Sequence, residues 1–168
     1  MDNLIVWPLE ELDRPWATSV LARAWHSARV VTRGRVHQAD SLPGLVAIAG
    51  GQRVGLLTYR REGDEIEVVT LNSLWPRRGV GTALLAAIEE IARFSGCRRL
   101  WLVTTNDNLV ALRFYQKRGW SLVAVHREAM HEARRLKPEI PLLGENGIPL
   151  RDEIELEYIV EEKSHGVS

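Results

Sequence analysis

Hydrophobic and polar positions change period several times along this chain. Leu4–Trp7 is a short apolar run closed by Pro8, which reads as a first strand leading into an acidic loop. From Ala17 to Val31, the residues Val20, Leu21, Ala24, Trp25 and Ala28 recur at three- and four-residue steps. That is the period of a helix with one buried face, and it places Trp25 in the core. Arg33-Gly-Arg35 and His37 follow in a polar loop, read either as a solvated turn or as the rim of a pocket. Leu45–Ala49 is a short strand, Gly50-Gly51 a hairpin turn, and Arg53–Arg60 the returning strand. A second turn, Glu62-Gly63-Asp64, leads into Glu65–Leu74. Simple alternation there puts Ile66 and Val68 on one face and Glu65, Glu67, Val69 and Leu71 on the other.

Val80–Phe94 carries Val80, Leu84, Ala87, Ile88 and Ile91 on one helical stripe, and Gly96 supplies its stop. Arg99–Thr104 is apolar on both faces, as a covered central strand would be. Asn106-Asp107-Asn108 offers N-caps for a short helix, Leu109–Lys117, which Gly119 ends; Trp120–His126 is the next strand. His126–Asp152 has no clear period. It holds the basic run Arg134-Arg135-Leu136-Lys137 and a stretch broken by Pro and Gly, Pro138–Pro149; so long a connection is usually functional or mobile. Ile154–Val160 turns Ile154, Leu156, Tyr158 and Val160 inward and Glu155 and Glu157 outward, as a strand beside Trp120–His126 would. Meander, helix, strand, helix and strand make a mixed α/β sheet, expected as one domain over 1–168 with a frayed tail from 161 to 168.

Composition narrows the function classes. The chain has 168 residues, 45% of them hydrophobic, and a formal net charge of zero. That balance argues against a nucleic-acid or membrane-surface partner. Cys97 is the single cysteine, so no intrachain disulfide is available. No apolar run approaches the ~20 residues of a membrane span, and the start Met-Asp-Asn-Leu lacks a signal peptide's basic region. A cytoplasmic location is the expectation. No His–Cys cluster has metal spacing and no Ser-His-Asp arrangement stands out, so no metal is expected.

The chemistry centres on Trp75-Pro-Arg-Arg-Gly-Val-Gly-Thr-Ala-Leu84, between a strand and a helix. Gly79 and Gly81 lack Cβ atoms, so a ligand can approach the backbone. The free N–H groups of the helix start make an anion site over Gly79, Val80, Gly81 and Thr82. Arg77 and Arg78 add positive charge. Taken alone, this stretch is equally well a turn with two solvated arginines. It lacks the Lys-Ser/Thr ending of an ATP loop and the third Gly of a dinucleotide fingerprint. Some 25 residues on comes Asn-Leu-Val-Ala-Leu-Arg-Phe-Tyr-Gln-Lys-Arg-Gly-Trp120. Together the two stretches resemble the GNAT N-acetyltransferase superfamily, over roughly Leu45–Val125. Pro76 departs from the pattern: the family often has Gln or Arg there, and Pro removes a backbone N–H.

The resemblance implies helices on both faces of a mostly antiparallel sheet. It also implies a splayed strand pair, Glu65–Leu74 and Arg98–Thr105, that holds acetyl-CoA as acyl donor. Main-chain groups of Leu71, Asn72 and Ser73 would pair with the pantetheine arm, and an N–H near Leu71 would hold the thioester oxygen. Asn108 matches a contact to that arm, and Tyr115 matches the general acid that protonates the departing thiolate. A Tyr in a core stripe is the plainer reading of that residue. The acceptor amine must lose a proton. Glu65 and Glu67 are the candidates, with Glu67 preferred as nearer Leu71 and an exposed edge carboxylate as the alternative. The implied reaction is direct acetyl transfer to a primary amine of a small molecule or peptide. A non-catalytic acyl-CoA sensor of the same fold is the alternative, and a homodimer is left open. The acceptor would lie between Trp25–His37 and Arg134–Arg151, where the arginines suggest an acidic acceptor and Glu145 an alternative contact to an amine.

Overall fold

The computed structural model of the chain describes residues 3–161. Its main sheet has seven strands in the order β1-β4-β5-β6-β7-β9-β8. These are β1 (Ile5–Pro8), β4 (Gly44–Ala49), β5 (Gln52–Glu62), β6 (Glu65–Ser73), β7 (Arg99–Thr105), β8 (Ser121–His126) and β9 (Glu153–Ile159). Every pairing is antiparallel except β6 with β7. The helix α1 (Arg14–Trp25) covers one face, where Ala17, Val20 and Leu21 pack against Val46, Leu56 and Val69. α2 (Val80–Phe94) covers the other, with Val80, Leu84 and Ile88 against Leu45, Leu57, Ile66 and Val68. α3 (Leu109–Lys117) adds Leu112, Phe114 and Tyr115 to that second core. The expected mixed, mostly antiparallel sheet with helices on both faces is therefore present. Among the described residues no helix is long and apolar enough to cross a membrane. The tail expected to fray from 161 lies, apart from Glu161, outside the described residues.

The periodicity misreads two segments. The helix expected over Ala17–Val31 runs from Arg14 to Trp25 instead, because Pro15 fits a first helical turn and His26 takes a left-handed φ of 67°. Residues 29–38 then form a separate hairpin of β2 (Arg29–Thr32) and β3 (Arg35–Gln38). Val30, Val31 and Thr32 are β-branched and suit a strand. Arg33 and Gly34, at φ 49° and 72°, make the two-residue turn that joins twisted strands. Trp25 is thus the end of a helix, 36% exposed, rather than core. The second misread segment is His126–Asp152, which contains a helix, α4 (Ala129–Leu136). It buries only Met130 and Ala133, too few apolar positions to announce itself.

The basic run of α4 is structural. The Lys137 ammonium is buried and donates to the carbonyls of Trp25 (2.5 Å) and Arg29 (2.7 Å), clipping the end of α4 to the α1–β2 turn. Arg134 donates to the carbonyls of Ile140, Pro141 and Leu150. Replacing Lys137 with Met keeps the stem but leaves both carbonyls without their donor. Lys137→Met is expected to lower the free energy of unfolding by about 2–3 kcal/mol in chemical denaturation. A change below about 0.5 kcal/mol would show that the clip contributes nothing measurable.

Candidate active site

The site begins where the sheet opens. β6 and β7 pair only at Glu65–Arg99, Ile66–Leu100 and Glu67–Trp101, then part. At the same place β6 takes an extra residue against β5, because Thr70 faces Thr58 while Val68 faces Tyr59. This bulge at Val69 bends the strand. It also overturns the simple alternation: Leu71 packs with Ile66 and Val68 on the α2 side, while Val69 faces α1. Glu67 therefore does not share a face with Leu71. The parted strands open a cavity of about 760 Å³ between residues 68–72 and 102–105, with Asn108, Ala111 and Tyr115 of α3 on its wall. The Asn72 Oδ1 is buried here without a protein partner.

At the end of β6 the chain turns through 74–79 into α2. Arg77 and Gly79 take positive φ values of 65° and 76°, and no side chain caps the helix start. The first-turn N–H groups of Val80, Gly81 and Thr82 have no acceptor within the helix. Arg77 and Arg78 are exposed beside them, Arg78 lying 5.4 Å from the Trp75 ring centre. Gly81 also has a packing role. A Cβ there would come within 2.9 Å of the Phe114 ring, so its absence lets α2 and α3 close together. Sequence reasoning missed Arg118. Its Nε donates to Thr82 Oγ1 at 2.8 Å and its guanidinium lies 3.7 Å from the Phe114 ring centre, bringing a third cation to this helix start. Its position four residues after Phe114, one helical turn on, was the available signal.

Tyr115 lines the cavity and is buried between Phe114 and Trp120, with ring centres 5.2 and 5.4 Å away. Burial pushes its phenol above the ordinary pKa, so it holds its proton at neutral pH. Asn108 caps α3, its Oδ1 accepting the Ala111 N–H at 3.1 Å, which leaves its NH₂ for the cavity. Glu67 is neither exposed nor in the cavity wall. It is 2% exposed, accepts the Thr32 hydroxyl at 2.6 Å and lies 3.5 Å from the Arg60 guanidinium. Burial raises its pKa, against the pull of Thr32 and Arg60. Thr32 does line the cavity. His37 is also buried rather than on a rim, with Nε2 2.6 Å from Thr32 Oγ1. Burial, helped by Arg35 and Arg60, lowers its pKa to about 4, so the ring is neutral. With the Thr32 proton given to Glu67, His37 Nε2–H donates to Thr32.

The far end of the cavity is walled by Trp25, Val30 and the strap 137–150. Both segments expected to flank an acceptor meet here. The strap is pinned to the β7–α3 turn, where Asp107 Oδ2 accepts the Glu145 N–H at 2.7 Å. A Cβ on Gly144 would overlap that Asp107 carboxylate. The arginines of these segments do not line the cavity. Arg29 and Arg134 bind carbonyls, Arg33 reaches Glu153, and Arg151 pairs with Asp152. The acidic acceptor suggested by their number therefore lacks its cationic wall.

A model of the Acetyltransferase (GNAT) family matches residues 4–120. A relative in Bacillus subtilis (strain 168), YdhI, is 39% identical over 159 residues, 94% of this chain and 99% of its own length. Among solved structures, an IAA acetyltransferase from Bacillus cereus ATCC 14579 superposes with a TM-score of 0.74 at 21% identity, over 94% of this chain and 99% of that one. A GNAT family acetyltransferase from Elizabethkingia anophelis with acetyl-CoA bound gives 0.71 at 16% identity, over 95% and 99%. The family model covers well over half of the residues, including the glycine turn and the helix bearing Tyr115, and the chain belongs to the GNAT family of acetyltransferases.

Proposed function

We propose that the protein transfers an acetyl group from acetyl-CoA directly to a primary amine of a small molecule or peptide. The observation that carries this reading is the position of Tyr115. Its phenol is buried and protonated on the wall of a cavity that opens between β6 and β7. In this reading the CoA pyrophosphate lies on the N–H groups of Gly79, Val80, Gly81 and Thr82, beside Arg77 and Arg78. The pantetheine arm fills the split between the strands. It pairs with main-chain groups of Leu71, Asn72 and Ser73 and meets the Asn108 amide. The unpartnered Asn72 Oδ1 can accept one of its N–H groups.

The amine nitrogen attacks the thioester carbonyl carbon, and an N–H near Leu71 holds the oxygen as negative charge develops. The C–S bond breaks, the electron pair leaves on sulfur, and the thiolate takes the Tyr115 proton. The amine's proton passes to Thr32 Oγ1 while the Thr32 hydroxyl proton moves to Glu67. Glu67 thus acts as the base through an intervening hydroxyl. Its raised pKa favours receipt of that proton. Both residues regain their starting states from solvent.

Tyr115→Phe is expected to leave CoA affinity unchanged and to lower kcat by about 10²–10⁴-fold, because the hydroxyl acts only as the thiolate leaves. With the phenol's pKa raised, the wild-type rate should show no falling limb from Tyr115 below pH ~10. Release of free CoA, measured across an amine panel, checks both; an unchanged kcat with chemistry rate-limiting removes Tyr115 from the mechanism. The double change Arg77→Ala and Arg78→Ala should weaken CoA binding about tenfold at low salt, and less at high salt. Equal affinity by calorimetry at low salt would place the phosphates elsewhere. Gly144→Ala forces Asp107 and the strap apart, so the acceptor KM should rise severalfold while CoA affinity holds. Parallel loss of both would give the strap a role in the fold alone.

A further inference from the structure

One carboxylate at the acceptor end of the cavity is left short of partners. Glu153 begins β9, opposite Thr105 on one side and His126 on the other. It is 4% exposed and lines the cavity. Its protein donors are weak. The Arg33 N–H lies 3.3 and 3.4 Å from its two oxygens, and the half-exposed Arg33 guanidinium is 3.9 Å away. A carboxylate has about four acceptor sites, and leaving them unfilled in a buried place is costly. Glu67 and Asp107 show the contrast. Glu67 has a hydroxyl at 2.6 Å, and Asp107 has the Thr105 hydroxyl at 2.5 Å and the Glu145 N–H at 2.7 Å. Burial and the nearby Glu67 raise the Glu153 pKa, while Arg33 and His126 lower it.

The larger side chains around it at this end are mostly apolar, namely Trp25, Val30, Met130, Ile140, Leu143 and Leu150, with His26, Thr32, Asp107 and Glu145 as polar neighbours. The one ammonium in its lining, Lys137, is already held by two carbonyls. Among the described residues that line the wall there is no arginine and the lysine is engaged, whereas a buried carboxylate is available to a cationic guest. Resting on the acetyltransferase reading above, we infer that Glu153 holds the ammonium of the acceptor, and that the acceptor is a cationic amine with an apolar or aromatic body. The carboxylate selects the charge and the surrounding apolar wall selects the body, as few polar groups in an apolar pocket commonly do.

Calorimetry with three probes of one shape tests this: 2-phenylethylamine, 2-phenylethanol and 3-phenylpropanoate, each titrated with and without saturating CoA. The wild type should bind the amine at least tenfold tighter than the alcohol and reject the carboxylate. Glu153→Gln should bind the amine at least tenfold more weakly, bring amine and alcohol level, and keep CoA affinity and thermal stability. The inference is overturned if the alcohol or carboxylate binds the wild type as well as the amine, if the amine does not bind, or if Glu153→Gln keeps the preference. Should that variant fail to fold, the wild-type comparison decides alone. Failure of CoA to bind the wild type would instead overturn the acetyltransferase reading, whereas CoA binding without amine preference sinks only the role of Glu153.

Discussion

A sheet that opens in its own middle must answer for the backbone groups it leaves unpaired. β6 and β7 are central strands, both packed on one face against α2 and α3, with Val69 of β6 turned toward α1 on the other, yet they pair over only three residues. Past Glu67 and Trp101 their facing N–H and C=O groups have no strand partner. Unpaired buried backbone groups are expensive, so such an opening persists only where water or a ligand can meet them. The bulge at Val69 bends β6 away while β5 keeps it attached. The rest follows from this opening. α2 follows β6 through the turn 74–79, α3 brings Tyr115 to the cavity wall, and the strap walls its far end.

α4 and the strap beside the opening are held by hydrogen bonds to carbonyl oxygens more than by apolar contact. Lys137 ties α4 to the α1–β2 turn, and Arg134 ties it to three carbonyls of the strap. Asn106 adds bonds to the Pro149 carbonyl and to the Arg151 and Asp152 N–H groups. A segment that buries only Met130 and Ala133 has little hydrophobic stabilisation of its own. Charge-assisted hydrogen bonds give it a defined position instead. This is why a basic run in the sequence does not become a basic wall in the cavity.

What was legible in the sequence follows the same division. α2 and α3 were read within a residue of their ends, because each has a strong apolar stripe and a glycine or Asn boundary. The glycine turn before α2 was legible, whereas the packing of Gly81 against Phe114 was not, because it depends on a contact 33 residues away. The hairpin β2–β3 was hidden because Val20, Leu21, Ala24, Trp25 and Ala28 continue a helical spacing into a β-branched run. The bulge was not readable at all: one extra residue in Val68-Val69-Thr70 changes no composition, yet it reverses the face of every later residue. Glu153 escaped for a related reason. Its partner Arg33 is 120 residues away, and its significance lies in how few donors reach it.

Glu67 and Glu153 therefore differ in kind, though both are buried acids on neighbouring parts of the site. Glu67 belongs to a closed network with Thr32 and His37, and the bond between Glu67 and Thr32 can reverse. While Glu67 is ionised, the Thr32 hydroxyl donates to it and accepts from His37. Once Glu67 holds a proton, its carboxyl can donate to Thr32, whose oxygen still accepts from His37. No heavy atom has to move for this change. His37 suits the arrangement because its lowered pKa keeps it uncharged, so it neither repels a cationic guest nor neutralises Glu67. Glu153 has no such network and depends on a guest for its missing donors. In the proposed scheme the two acids divide the work: the ammonium recruited by Glu153 releases one proton to solvent before attack, since a protonated nitrogen has no lone pair, and the neutral amine then passes its second proton through Thr32 to Glu67 as the C–N bond forms.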